Sequence, residues 1–195
     1  MNKCCNYLVE QLICNHVIRC EDREIYLYGF RKILISGLNY FFFLLVGALL
    51  QVLFYALLFL LLFVPLRIFG GGVHAKSEKR CFLYSSIMAY LVLTSIKYYF
   101  GNFIDMILII NSALIIYLYP YIPVNCTNDR RRKEEKLYFK KVFCGLVLVE
   151  NILTILMILL NQTIFAYMIQ VAILVENILL LFGRINQLKA FKITR

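Results

Sequence analysis

The stretch ILISGLNYFFFLLVGALLQVLFYALLFLLLFVPL, residues 33–66, is 34 residues without a single charge, and how it is divided decides the fold. As one helix it would run about 50 Å, against a hydrocarbon core of about 30 Å. Tilt alone is an awkward remedy for that excess. A hairpin resolves it: one helix beginning near Ile25, a turn near Gly47, and a second helix from about Leu49 to Leu66. Backbone amides in lipid need partners within their own segment, so helices are the expected element throughout.

The rest of the chain has the same character. Of 195 residues 62% are hydrophobic, and the mean hydropathy is +0.77, far above the globular norm. The solvent that such a chain faces is lipid. The formal net charge of +10 is spread among apolar stretches rather than gathered on a hydrophilic domain, which argues against a nucleic-acid partner. Seven cysteines (Cys4, Cys5, Cys14, Cys20, Cys81, Cys126, Cys144) form no CxxC pair and have no His at zinc-ligand spacing. No metal and no cofactor are therefore expected, and most of the seven read as small buried apolar residues. The first 24 residues lack a continuous apolar core and carry Glu10, Arg19, Glu21, Asp22 and Arg23, unlike a signal peptide. Within them Leu8, Leu12, Ile13 and Val17 recur near helical spacing, predicting an amphipathic helix at the membrane surface.

Apolar blocks at 82–100, 103–119, 142–160 and 164–183 bring the spans to six. With six, the N-terminal region, the loops 67–81 and 120–141 and the tail from Arg184 share one side. They hold 20 of the 21 Lys and Arg, leaving Lys97 elsewhere. The positive-inside rule then assigns that side, with both termini, to the cytoplasm, whereas five spans would separate the first group from the others. The opposite loops, near Gly47, Gly101 and Gln162, are too short for a receptor domain. The sequons Asn125-Cys126-Thr127 and Asn161-Gln162-Thr163 are read as chance, the first being cytoplasmic and the second in a tight turn. The expected fold is an all-α polytopic membrane protein: six transmembrane helices and an N-terminal interfacial helix, forming one domain over 1–195 with an amphipathic segment at 1–24.

Chemistry concentrates in Arg67-Ile68-Phe69-Gly70-Gly71-Gly72-Val73-His74-Ala75-Lys76-Ser77-Glu78-Lys79-Arg80-Cys81. Three consecutive glycines forbid a stable helix and let the backbone turn sharply. The plain reading is a flexible connector. The sharper one starts from His74 and Cys81, seven apart, which one unbroken helix would separate by about 10 Å along its axis. If His74 belongs to the loop and a helix starts near Ser77, the imidazole can fold back over the first turn. Ser77 would be the N-cap, and Cys81 would sense the positive end of the macrodipole with Lys79 and Arg80 nearby. Those features favour thiolate, and His74 could take the proton. Spacing names no third catalytic residue, since Glu78 reads as a solvated first-turn carboxylate. Oxyanion candidates are amides of the glycine run, the head of the third helix, or Arg67.

The pattern Arg67, Gly71-Gly72, His74-Ala75 and Cys81, framed by apolar spans, resembles the accessory gene regulator B family, membrane cysteine endopeptidases that process the precursor of a bacterial quorum-sensing peptide. The resemblance extends to length, basic N-terminus, six spans, and a Pro-containing basic loop after the fourth span. It implies that His74 and Cys81 are the catalytic pair and that Arg67, Gly71 and Gly72 support it. It also implies a precursor with an amphipathic leader and an acidic C-terminal tail, a Cys81 thioester, closure to a thiolactone or lactone ring, and a homodimer. Pro120-Tyr121-Ile122-Pro123 followed by Arg130-Arg131-Arg132-Lys133 is similar only in location and basic character.

Leu148-Val149-Glu150-Asn151-Ile152-Leu153 recurs letter for letter at 174–179, placing Glu150 and Glu176 about 11 to 12 Å inside their spans. Ionised carboxylates at that depth are costly, so both should face the interior, share a proton or find partners. They read as a polar seam locking helices or a dimer contact, as a substrate groove, or as an ion pathway. The last underlies the main rival, a six-span transporter or structural membrane protein, which leaves residues 70–81 without a purpose. Arg130, Arg131 and Arg132 serve topology and contact with anionic lipid, and are a candidate site for the precursor's acidic tail.

Overall fold

The computed structural model describes residues 2–15, 17–72, 78–99, 104–124 and 132–193. Among them are seven α-helices: α1 (Asn2–Cys14), α2 (Arg23–Leu49), α3 (Leu53–Gly70), α4 (Glu78–Lys97), α5 (Ile104–Leu118), α6 (Lys133–Leu159) and α7 (Thr163–Ile193). No strand occurs among the described residues, where the β geometry amounts to a single parallel bridge between Gly71 and Val124.

The long apolar stretch is indeed two helices, but the break falls at Leu50-Gln51-Val52 rather than at Gly47. Gln51 adopts φ 61°, its amide donates to Ala48 O (3.0 Å), and the Val52 amide donates to Gly47 O (2.8 Å). These two bonds satisfy the last carbonyls of α2 in a Schellman wrap. The α6–α7 turn repeats it, with Asn161 at φ 58° and the Gln162 amide on Met157 O at 2.8 Å. Gly47 instead serves packing: a Cβ there would lie 2.6 Å from the Ala56 Cβ.

Among the described residues five helices are long and apolar enough to cross a membrane: α2 with the turn ahead of it, α3, α5 with the turn behind it, α6 and α7. The expected third span, now α4, is not among them. It carries Ser85, Ser86, Thr94, Ser95 and a charge at each end. Two of its hydroxyls bond its own backbone, Ser86 Oγ to Phe82 O at 2.8 Å and Ser95 Oγ to Val92 O at 2.7 Å. It buries Ala89, Val92, Leu93 and Ile96 in a cluster with Phe43, Phe59 and Phe63 of α2 and α3.

The centre of the bundle is α7, which packs on α3, α5 and α6. Of its most apolar window 61% is buried inside the protein, against at most 28% for the other four. The outer faces present Phe41, Leu61, Ile109, Ile116 and Leu159. So much outward apolar surface is stable against lipid, not water.

The N-terminal helix is present as α1 and packs on α2, with Leu12 and Ile13 at the contact. Leu8 and Val17 are exposed, while Cys5 and Val9 are buried against Ile18, which precedes α2, and Leu27 in its first turns. Arg23 ties the pair with two donated bonds to Glu10 Oε1 (2.9 and 3.0 Å). The general reading of the cysteines as buried also needs correction. Cys5 is buried, Cys14 and Cys20 are exposed, Cys81 and Cys144 are half-buried, and all five are free thiols.

Candidate functional site

The site is built where α3 ends. Arg67 lies one turn before Gly71, and its Nη1 donates to the Gly71 carbonyl, while the Gly71 amide returns to Arg67 O at 3.3 Å. Gly71 and Gly72 have φ of 83° and 112°, left-handed values that side chains with a Cβ rarely adopt. Here the triple glycine earns its place: the chain reverses without strain. Beyond the reversal, the Gly72 amide donates to Val124 O (2.6 Å) and the Val124 amide to Gly70 O (3.0 Å). The expected 67–81 loop is shorter than its sequence suggests, since α3 runs through Gly70 and α4 begins at Glu78, and its start at Gly71 and Gly72 is thereby clamped to the segment that leads into the basic loop.

That second segment is itself anchored. The 3-10 turn Tyr119–Tyr121 lies under two cations, Lys140 Nζ at 3.7 Å from the Tyr119 ring centre and the Arg184 guanidinium at 3.9 Å from that of Tyr121. Each such contact contributes about 0.5–1 kcal/mol where exposed. From the other side comes α7, whose Gly183 permits close approach. A Cβ on it would meet Val124 Cγ1 at 2.7 Å and the Gly72 backbone at 3.1 Å.

Cys81 stands in the opening turns of α4, half-buried, and Phe82 beside it packs edge-on against Phe42 of α2 at 5.3 Å. The helix begins at Glu78; Ser77, expected as its N-cap, lies outside the described residues. His74 lies outside the described residues, and so do Arg130 and Arg131. Arg132 is exposed, in extended conformation immediately before α6. Among the described residues the structure thus brings together Arg67, Gly71 and Gly72, while Cys81 stands on the next helix, α4.

The two repeated carboxylates are both buried, with exposures of 4% for Glu150 and 1% for Glu176, but they are not equivalent. Glu176 Oε1 is 3.9 Å from Arg67 Nη1. Neither Glu176 oxygen, nor Glu150 Oε2, accepts a hydrogen bond among the described residues. The polar seam is made mostly by other side chains. Asn111 of α5 donates to Gln170 O and Oε1 of α7, both at 2.9 Å. Gln170 Nε2 donates to Thr154 Oγ1 (2.9 Å) and Asn151 Oδ1 (3.2 Å) of α6, and Asn177 donates to Asn111 Oδ1 (3.2 Å). The repeat therefore contributes its asparagines to the seam. Sequence reasoning passed over Asn111, Thr154 and Gln170, although a lone amide inside an apolar span is a signal in itself.

A groove of about 340 Å³ opens between α5 and α6, lined by Ile115, Phe143, Cys144, Val147, Asn151 and neighbours. It contains none of Arg67, Glu176 or Cys81. Among the described residues no cluster of three His, Cys, Asp or Glu is placed to hold a metal.

A family model described as accessory gene regulator B matches residues 1–181. No curated protein and no solved structure matches the chain.

Proposed function

The chain belongs to the accessory gene regulator B family, and from that premise we propose that it is a membrane-embedded cysteine endopeptidase that matures a quorum-sensing propeptide. Family membership implies the processing role. The finer chemistry rests on one observation: a clamped glycine reversal leads, five residues on, into a helix with Cys81 in its opening turns.

In this reading His74 takes the proton from Cys81 as Sγ attacks the peptide carbonyl. The proton passes to the leaving amine, the C–N bond breaks, the C-terminal tail departs, and the remaining peptide is held as a Cys81 thioester. A thiol or hydroxyl of the precursor then attacks that carbonyl, closing a thiolactone or lactone ring while Sγ regains a proton. Exchange conserves the activated acyl bond that hydrolysis would destroy, so a site at the lipid boundary that keeps water out suits it. No cofactor takes part.

All six apolar segments cross the bilayer in this proposal, α4 included, with both termini and the loops 67–81 and 120–141 on the cytoplasmic side of the cell membrane. The amphipathic leader of the precursor lies on that surface. Its acidic tail is drawn by Arg130, Arg131 and Arg132, which also meet anionic lipid, and the enzyme works as a homodimer. The rival reading, a carrier built on Glu150 and Glu176, is not favoured, because Glu176 faces Arg67 as its ion-pair partner.

The test is to co-express a candidate precursor and follow its mass. A shortened product should form, and should vanish in Cys81→Ala and in His74→Ala. Product that persists in either variant would exclude the mechanism. Replacing Cys4, Cys5, Cys14, Cys20, Cys126 or Cys144 by Ser should leave processing largely intact.

A further inference from the structure

We propose that Glu176 is a positioning residue for the loop that starts at Gly72, acting through Arg67 and not on substrate. The proposal deepens the peptidase reading, on which it rests for what the loop carries. The linkage itself comes from geometry.

Glu176 sits on α7 at 1% exposure, with Arg67 of α3 across from it at 3.9 Å. A carboxylate held at such depth gains most from an opposite charge. The guanidinium is a planar fork whose donors point in more than one direction, so it can face a carboxylate and a carbonyl together, which an ammonium on a flexible stem does less well. Here the second group is the Gly71 carbonyl. Fixing that carbonyl fixes the peptide plane between Gly71 and Gly72, and with it the direction in which the chain leaves toward His74. A Cβ on Gly70 would fall 2.8 Å from Glu176 Oε1, so that glycine is what lets the carboxylate come so close.

The rest of α7 supports the same turn. Leu179 O lies 3.3 Å from where a Gly72 Cβ would be, and Gly183 abuts the Gly72 backbone. Positions 176, 179 and 183 follow the i, i+3, i+7 spacing of one helix face. One stripe of the central helix thus templates the glycine reversal, with Glu176 as its charged member. A plain helix-to-helix lock would not require the carboxylate's partner to hold the loop's first carbonyl as well.

The experiment uses the full-length chain in detergent, with Cys81 as its one cysteine, and times alkylation by N-ethylmaleimide from about pH 6 to about pH 9. His74→Ala should slow labelling about tenfold near neutral pH and not at the alkaline end, where free thiols ionise unaided. Glu176→Gln should give the same pattern and magnitude, Glu176→Asp should restore the rate to within about threefold, and Arg67→Gln with Glu176→Gln should be no slower than either alone. Labelling of Glu176→Gln at the parent rate would overturn the proposal. So would a loss equal at every pH that Asp does not rescue. Should Glu176→Gln fail to fold, Arg67→Lys decides: a folded Arg67→Lys protein that labels at the parent rate overturns the proposal, and a tenfold loss supports it. If His74→Ala itself changes nothing, the peptidase reading fails, a result distinct from all of these.

Discussion

At Gly72 the chain has φ 112°, and a Cβ there would drive into the Arg67 side chain and close on Leu179 O. Gly72→Ala therefore combines backbone strain of about 1–3 kcal/mol with displacement of the guanidinium that holds Gly71. It should lower the thermal unfolding midpoint and abolish precursor processing. Gly145, in mid-α6 with nothing within 4 Å of its absent Cβ, supplies the contrast. Gly145→Ala should stabilise by about 0.5–1 kcal/mol, as helix propensity dictates, and leave processing unchanged. Differential scanning fluorimetry in detergent separates the two. At this scale the sequence was informative about type and silent about company. Arg67, Gly71 and Gly72 were legible as a group because glycine runs are conformationally costly and a basic residue beside them stands out. That Glu176, more than a hundred residues on, faces Arg67 is a product of how α3 and α7 pack, which no local pattern encodes.

Helix boundaries show the same division. The hairpin within 33–66 is legible from its length together with the placement of Lys and Arg, which set its expected turn near Gly47. The left-handed positions are in fact Gln51 and Asn161. Bilayer geometry and packing set where the turn falls, and the local residue tolerates it. Asparagine visits that conformation more readily than glutamine, so Gln51→Gly should raise stability by more than Asn161→Gly, each by no more than about 1 kcal/mol; equal or reversed shifts in unfolding midpoint would contradict this. The seam joining α5, α6 and α7 carries a larger expectation. Asn111→Leu would leave buried groups of Gln170 and Asn177 without the partners they now have, costing about 1–3 kcal/mol. The same change at exposed Ser112, whose hydroxyl bonds only its own helix, should cost a few tenths of that.

For the molecule as a whole, α4 decides the topology. If it crosses the bilayer, exposed Cys20 and an Asn186→Cys substitution near the end of α7 lie on one side and Gln162→Cys on the other. A membrane-impermeant maleimide applied to intact cells should then label only the last of these single-cysteine variants, and labelling at Asn186→Cys would put the two ends on opposite faces. Neutralising Arg130, Arg131 and Arg132 together should weaken precursor capture more at low salt than at high salt, because screening shortens their reach; equal losses would argue for a role in topology alone. One consequence of the Gly71–Val124 bridge belongs at this scale too. Its bonds run from peptide group to peptide group, so they are indifferent to which side chains the second loop displays. Rewriting the side chains that follow Val124 therefore leaves the pairing that holds Gly72 untouched, and the two segments can diverge in composition without losing their register.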